Sequence, residues 1–126
     1  MDDVIQQALE NDQLIDITTT GRKTGRTSRK EIWFHSMNGR VYITGTPVRK
    51  DWYANMMAHP DFIFHLKQSV QRDIPARATP ITDMSRRREI FAQMVALEQR
   101  MENLLTNTDT WVESSPLVEV DLLDQD

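Results

Sequence analysis

An Asn38-Gly39 dipeptide lies between two short runs of strand-forming residues, and it limits the possible folds more than any other feature. The runs are residues 30–37 and residues 41–44. Asn and Gly adopt the positive φ angles of two-residue β-hairpin turns at little cost. The pattern therefore predicts an antiparallel hairpin, and with it a fold that contains neighbouring antiparallel strands.

Strand-like patterns recur along the rest of the chain. Alternation within residues 30–37 predicts that Ile32 and Phe34 share one face, and that Trp33 and His35 share the other. Further strands are predicted from β-branched or alternating apolar residues, at residues 13–20, 62–66, 70–78 and 117–123. The count is about six strands, joined as successive hairpins without the βαβ alternation of parallel sheets.

Three helices are predicted among these strands: near residues 4–9, at residues 51–58 with Asp51 as a candidate N-cap, and from Thr82 or Asp83 onward. The third has apolar residues at helical spacing: Ile90, Phe91, Met94, Leu97, Met101 and Leu104. It opens with three consecutive arginines, which the helix dipole disfavours there. Residues 107–115 are expected to form a loop. The expected fold is α+β or mainly β: a mostly antiparallel sheet or small barrel with outer helices.

Composition places further limits on the protein. With 126 residues, we expect residues 1–126 to form one domain. The net charge of -4 makes the chain mildly acidic as a whole. Without cysteine the chain has no disulfides, thiolate metal sites or cysteine nucleophiles. The N-terminus is acidic and amphipathic, unlike a signal peptide, and no apolar run is long enough for a transmembrane helix. A cytoplasmic location is therefore expected.

Five basic residues fall within residues 22–30, between two predicted strands and beside Gly21 and Gly25. We call residues 21–30 the basic turn. Glycine-containing turns expose backbone N–H groups, and neighbouring Arg and Lys side chains add charge, so the turn is a candidate site for phosphate or carboxylate. The alternative is a solvated hairpin tip whose cations only protect an edge strand from aggregation.

Other candidate residues follow the loop at residues 45–50. Trp52, Tyr53 and Asn55 could line a flat aromatic ligand, although Trp52 and Met56 are also spaced to pack the helix onto the sheet. The three histidines lack metal-ligand spacing, and no metal site is expected. The sequence contains no recognisable nucleophile–base or paired-carboxylate motif. This pattern is typical of enzymes in which a cofactor carries the chemistry.

Three segments in this order resemble the deazaflavin-dependent nitroreductase family: TTTGRKTGR, DWYANMMAHP and PARAT. The resemblance covers roughly residues 14–79. It implies the split β-barrel fold that this family shares with FMN-binding proteins. It also implies the cofactor F420, with FMN as the alternative, and reduction of quinones, nitro compounds or activated alkenes.

By this resemblance the anionic end of F420, a phosphodiester with a glutamate tail, would bind the basic turn at Arg22, Lys23, Thr24 and Gly25, with Arg26 and Arg29 nearby. The ring would lie near Pro47, Trp52 and Asn55. In an ungapped alignment Ser28 takes the place of an arginine common in the family, and Arg29 comes one position later. No catalytic side chain is assigned.

Two other hypotheses remain open on the sequence. The first is a non-enzymatic carrier of F420, FMN or another anionic ligand on the same fold. The second is a nucleic-acid contact at the basic turn, which the acidic remainder of the chain disfavours. We therefore expect a small-molecule substrate, no nucleic acid and a homodimer, as split barrels of this type commonly form.

Overall fold

The computed structural model describes residues 2–98, 101 and 107–123. Four helices and seven strands lie in this part of the chain. In chain order they are α1 Asp3–Asn11, β1 Leu14–Thr20, β2 Thr27–Trp33, β3 His35–Met37, β4 Arg40–Thr44, α2 Asp51–Ala58, β5 Asp61–Leu66, β6 Arg72–Pro80, α3 Met84–Leu97, α4 Thr108–Ser114 and β7 Leu117–Leu122. No helix among the described residues is both long and apolar enough to cross a membrane.

The seven strands form one antiparallel sheet in the order β2-β1-β5-β6-β7-β4-β3. Its edge strands, β2 and β3, are separated in sequence by Phe34 alone. The sheet therefore has to curl until its two edges meet, which confirms the expected split-barrel architecture. Phe34 is fully buried at this junction, where its N–H donates to Gln13 O (3.0 Å) and its ring meets Phe64 edge-on at 5.4 Å.

The break at Phe34 corrects two predictions. Residues 30–37 form two strands instead of one, because Trp33 is the last partner of β1 whereas His35 is the first partner of β4. This raises the strand count from about six to seven. The predicted alternation is kept across the break: Ile32 and Phe34 both contact one apolar cluster, whereas Trp33 and His35 both line a hollow on the other side. The two side chains on that side differ in burial, since Trp33 is 48% exposed and His35 only 2%.

Two local predictions are confirmed. Asn38 and Gly39 have φ angles of 54° and 77°, and they join β3 to β4 as the expected hairpin turn. The alternation of β7 predicts Val118, Val120 and Leu122 inward and Glu119 and Asp121 outward, and the structure has Val118 and Val120 buried and Asp121 exposed. Its place between β6 and β4 could not be read from the sequence.

Two apolar clusters stabilise the fold. The first lies within the curl of the sheet and includes Ile17, Phe34 and Phe64, and α1 and α2 pack onto it through Leu9 and Met56. The second packs α3 and α4 against the β3-β4-β7 end of the sheet; it includes Phe91, Met94 and Trp111. Burial of this much apolar surface is the main favourable term in folding.

Helix α3 begins as predicted but ends earlier. Asp83 caps it by accepting a hydrogen bond from Arg86 N (2.8 Å), and its last residue is Leu97. Met101 is buried beyond the helix end, and Leu104 lies outside the described residues. Asp51 is not the N-cap of α2 as expected but its first residue, after Lys50.

The segment predicted as a loop at residues 107–115 contains helix α4. Arg87 explains why this short helix is stable. Its guanidinium is 5% exposed and donates to carbonyl oxygens of Val112 (2.6 Å), Ile81 (2.8 Å), Trp111 (3.4 Å) and Ser115. A cation at carbonyls of the last turn also complements the helix dipole. Burial lowers the pKa of Arg87, yet an arginine still keeps its charge.

The outward face of β1 carries a small network of charges. Asp16 accepts hydrogen bonds from Lys67 Nζ (2.8 Å) and Arg29 Nε (2.9 Å), and Lys67 also contacts Glu31. The hydrogen bond from Lys67 is the largest cause that lowers the pKa of Asp16, and the bond from Arg29 adds to it. This network joins β2 to β1 on the face opposite the first apolar cluster.

Replacement of Arg87 should destabilise the fold strongly. In Arg87→Met four buried carbonyls lose their donor, so we expect a loss of about 2–4 kcal/mol in the free energy of unfolding. Urea unfolding followed by tryptophan fluorescence measures this. Arg88→Met is the matched control: Arg88 is exposed and, among the described residues, pairs only with exposed Asp109 (2.9 Å), so this substitution should cost under about 1 kcal/mol. Equal effects of the two variants would contradict the assigned role of Arg87.

Asp16 should contribute to acid sensitivity. Its pKa is lower in the folded than in the unfolded state, so its ionised form stabilises the fold at neutral pH. That contribution is lost as the pH falls from about 5 through the folded-state pKa. The difference in unfolding free energy between wild type and Asp16→Asn should therefore shrink below about pH 4. Glu10→Gln, at an exposed position on α1, is the control.

Candidate functional site

The basic turn is held in one conformation by its own backbone. Gly21 N donates to Arg26 O (2.7 Å), Gly25 N donates to Gly21 O (2.9 Å), and Arg26 N donates to Thr24 Oγ1 (3.2 Å). A Cβ at Gly21 would lie 3.0 Å from Thr24 Oγ1 and 3.1 Å from Arg26 O, and Gly25 has a φ of +71°. Both glycines are therefore required by the shape of the turn.

Asn55 fastens this turn to helix α2. Its Oδ1 accepts from Arg22 N (3.2 Å) and Arg22 Nη1 (3.1 Å), and its Nδ2 donates to Thr19 Oγ1 (3.1 Å). Asp51 Oδ1 adds a weaker contact to Arg22 Nη2 at 3.4 Å. The buried amide thus has the partners that a 7% exposed side chain needs, and Arg22 is held in place from two sides.

Several basic residues of the turn and of the loop after β4 have no carboxylate partner among the described residues. In the part of the chain that the structure describes, no carboxylate lies within 4.0 Å of Lys23, Arg26, Lys30, Arg49 or Lys50. By contrast, Arg22 and Arg29 each have a carboxylate partner. The unpaired charges on the turn and the loop can attract an anion without first breaking an existing ion pair.

Two hollows lie side by side at this end of the molecule. We call the smaller one, of about 320 Å³, the turn hollow; it is lined by Gly21, Arg22, Lys23, Thr24, Arg26, Thr27, Ser28, Asp51 and Asn55. The larger one, of about 830 Å³, we call the cleft; its lining combines apolar residues of α2 and α3, such as Met57 and Met84, with cations of the loop. Arg22 lines both, so the two hollows adjoin.

Helix α2 separates the predicted ring-binding residues into two groups. Trp52 and Asn55 face inward, and Trp52 is 4% exposed in the first apolar cluster. Its indole meets the ring of Tyr53 edge-on at 5.9 Å. Tyr53, Ala54 and Met57 line the cleft instead, on the other side of the helix. Pro47 lies in the cleft wall.

The structure also shows which way Arg29 points. In the β1–β2 register Ser28 pairs with Thr19, and Arg29 pairs with Thr18. Ser28 lines the turn hollow, whereas Arg29 reaches the opposite face and binds Asp16. Arg29 is therefore not brought together with Arg22, Lys23, Thr24, Gly25 and Arg26, because neighbouring residues of a strand face opposite sides.

Several cleft residues were not singled out from the sequence. They are Val48, Arg49, Lys50, Met57, Ile81, Thr82, Met84, Arg87, Glu113, Ser114, Ser115 and Pro116. Those at residues 81–87 and 113–116 come from segments far apart in the chain, so no local pattern could have joined them. Arg49 and Lys50 carried a signal: two adjacent cations in a loop next to a predicted cofactor-binding helix.

Comparison with known proteins identifies the family. A family model described as F420H(2)-dependent quinone reductase matches residues 3–115 of the chain. Three solved structures share the fold at low sequence identity. A conserved hypothetical protein of Mycobacterium tuberculosis has a TM-score of 0.71 and 11% identity, over 98% of this chain and 82% of that one.

The other two structures also share the fold at low sequence identity. One described as an F420-H2 dependent reductase has a TM-score of 0.60 and 18% identity, over 87% of this chain and 95% of its own. One described as a domain-swapped dimer has a TM-score of 0.59 and 17% identity, over 87% and 81%. These structures support the fold, and the family model covers most of the chain: the protein belongs to the F420H2-dependent quinone reductase family and is an F420-dependent reductase.

Proposed function

We propose that this reductase passes a hydride from reduced F420 to a small activated acceptor of the quinone, enone or nitro type. The cleft would hold the deazaflavin ring, and the basic turn would hold the anionic end of the cofactor. The observation that carries the proposal is that Arg22 lines both the cleft and the turn hollow, so a mainly apolar compartment with cations at its edge adjoins a cationic one. F420 has the same two-part chemistry.

The cleft suits a flat, partly apolar ring. Its wall on α2 presents Tyr53, Ala54 and Met57, and its wall at the start of α3 presents Ile81 and Met84. Met57 and Met84 are 41% and 51% exposed, so their flexible thioether side chains are available to a ligand. Ligand pockets commonly measure about 300–1,000 Å³, and the cleft of about 830 Å³ lies within this range.

The turn hollow suits a phosphodiester. Lys23 and Arg26 line it and have no carboxylate partner within the described residues, so they can form charge-assisted hydrogen bonds with phosphate oxygens. Thr24 and Ser28 line it as well and carry hydroxyl groups. Arg49 and Lys50 line the neighbouring cleft, where they would add positive charge beside the anionic cofactor.

The remaining proposed site residues maintain the shape of the site. Asn55 holds Arg22 and hence the turn, and Gly25 supplies the left-handed backbone conformation that the turn needs. Trp52 anchors α2 in the core, which fixes the cleft-facing side of that helix. Arg29 is outside this proposal as a ligand-binding residue, because it is bound to Asp16 on the opposite face.

Reduction of a quinone to a hydroquinone consumes one hydride and one proton. When bound, the reduced cofactor supplies the hydride, and the chain has to orient the acceptor and permit proton delivery. Tyr53, Thr82 and Ser114 line the cleft and carry hydroxyl groups, and the cleft is open to water. We propose that the proton comes from one of these hydroxyls or from solvent.

Three broader properties belong to the same proposal. We propose that residues 1–126 form one domain, since a single sheet contains strands from both ends of the chain. We propose a homodimer; one structure that shares the fold is described as a domain-swapped dimer. We propose a cytoplasmic location, because a reductase needs the compartment that regenerates its reduced cofactor.

The proposed activity is tested with purified protein, reduced F420 and menadione. We expect F420 to bind with micromolar affinity, measured by its fluorescence. We also expect menadione to be reduced while reduced F420 is oxidised, which is followed as the return of the absorbance of oxidised F420. Parallel titration with FMN distinguishes the two cofactors. Micromolar binding of F420 without turnover of menadione or a nitroaromatic would instead indicate a carrier protein, and binding of FMN alone would reject F420.

The proposed role of the basic turn is tested by a matched set of variants. Lys23→Ala and Arg26→Ala should each weaken F420 binding about 5- to 20-fold, since each removes a charge-assisted hydrogen bond. The loss should be smaller at high salt, because salt screens exposed charges. Arg29→Ala is the control from the same turn and should change the affinity less than about 2-fold. A larger effect of Arg29→Ala than of the other two would refute this assignment.

A further inference from the structure

The exposed methionines of the described chain lie together in the cleft. Four of the six methionines that the structure describes are at most 4% exposed: Met37, Met56, Met94 and Met101. The other two, Met57 and Met84, are 41% and 51% exposed, and both line the cleft. Met57 lies on α2 and Met84 on α3, so the fold brings two accessible thioethers to one hollow from separate helices.

Each exposed methionine has a buried counterpart on its own helix. Met56 directly precedes Met57, yet it is 1% exposed in the first apolar cluster, because adjacent residues of a helix point in different directions. On α3, Met84 is the first residue, whereas Met94 is fully buried in the second cluster. An oxidant dissolved in water therefore meets the methionines of the cleft before those of the core.

Thioethers react with hydroperoxides by transfer of one oxygen atom. A sulfur lone pair forms the new S–O bond, the O–O bond of the hydroperoxide breaks, and its proton moves to the departing oxygen, which leaves as water or an alcohol. The sulfur is oxidised by two electrons and the hydroperoxide is reduced by two. The product, methionine sulfoxide, is polar, and methionine sulfoxide reductases return it to the thioether.

Two sulfoxides would change what the cleft can bind. Met57 on α2 and Met84 at the start of α3 supply apolar surface from two walls of the cleft. A sulfoxide oxygen is a hydrogen-bond acceptor, and Arg49 and Lys50 line the same cleft as possible donors. Oxidation therefore replaces apolar contact surface with polar groups, at the place where a flat ring would otherwise pack against flexible thioethers.

We propose that Met57 and Met84 form a modification site for hydroperoxides, and that their oxidation to sulfoxides weakens the binding of a flat apolar ring in the cleft. Selective oxidation depends only on the exposure of the two side chains. The effect on F420 rests on the proposed function, because it assumes that the cleft holds the deazaflavin ring.

Selective oxidation is tested on the full chain without cofactor. The protein is treated with dilute hydrogen peroxide, and tandem mass spectrometry locates the added oxygen, including its position on Met56 or Met57. Sulfoxide should form several-fold faster at Met57 and Met84 than at Met56 and Met94, and methionine sulfoxide reductases should remove it. Oxidation of Met57 and Met84 no faster than that of the two buried methionines would overturn the site.

The effect on the cleft is measured as F420 affinity before and after peroxide treatment. Oxidation should weaken binding about 4- to 15-fold, as expected for loss of one or two methyl-sized apolar contacts. In the Met57→Leu/Met84→Leu double variant, affinity should be the same before and after treatment, because leucine has no sulfur. Met37→Leu, at a buried position outside the cleft, should respond to peroxide as the wild type does. Circular dichroism checks that each variant is folded.

The fluorescent dye anilinonaphthalene sulfonate separates this proposal from the proposed function. It combines an apolar ring system with an anionic group, so it suits the cleft without any assumption about F420. Its fluorescence with the untreated wild type should fall after oxidation and stay constant in the double variant. No dye binding to the untreated protein, or unchanged dye binding after full oxidation of both methionines, would overturn the effect on the cleft. Failure of the untreated wild type to bind F420, with the expected dye response, would overturn the proposed function alone.

Discussion

The meeting of both sheet edges at Phe34 is the constraint on which the rest of the structure depends. Strands β2 and β3 lie at opposite ends of a seven-stranded sheet, yet a single residue joins them. The sheet can satisfy this only by curling around the first apolar cluster, and Phe34 is buried at the point of closure against Phe64. Trp33 and His35 lie on either side of this closure in the chain, and both line a hollow of about 250 Å³, Trp33 as an exposed and His35 as a buried side chain.

The basic residues fall into two groups: those whose side chains are hydrogen-bonded within the fold, and those whose charges are available to a ligand. Arg22 is fixed by Asn55, Arg29 by Asp16, and Arg87 by four carbonyl oxygens. A buried or paired guanidinium of this kind stabilises a particular backbone geometry, because loss of the charge would leave acceptors unsatisfied. Lys23 and Arg26 have no carboxylate partner among the described residues, so their charges are available to an anionic ligand.

Much of the fold followed from local sequence rules. Asn38-Gly39 predicted its hairpin, Asp83 its helix cap, and Val118 and Val120 the buried face of the last strand, because turns, caps and alternation depend on residues close in sequence. The basic turn was also recognisable as a candidate anion site, since its glycines and cations are contiguous. The cleft was visible only in part: Pro47 and Tyr53 were candidates, whereas Met84 and Ser115 come from distant segments.

The sequence by itself determined the Asn38-Gly39 hairpin, the start of α3 and the cationic character of residues 22–30, because each depends on neighbouring side chains and backbone preferences. Tertiary structure decided the rest. It split residues 30–37 at Phe34, since that segment changes partner from β1 to β4. It made residues 108–114 helical, since Arg87 and Phe91 lie ready to stabilise α4. It also turned Arg29 away from the turn hollow, because strand register, set by pairing with β1, fixes the face that each side chain occupies.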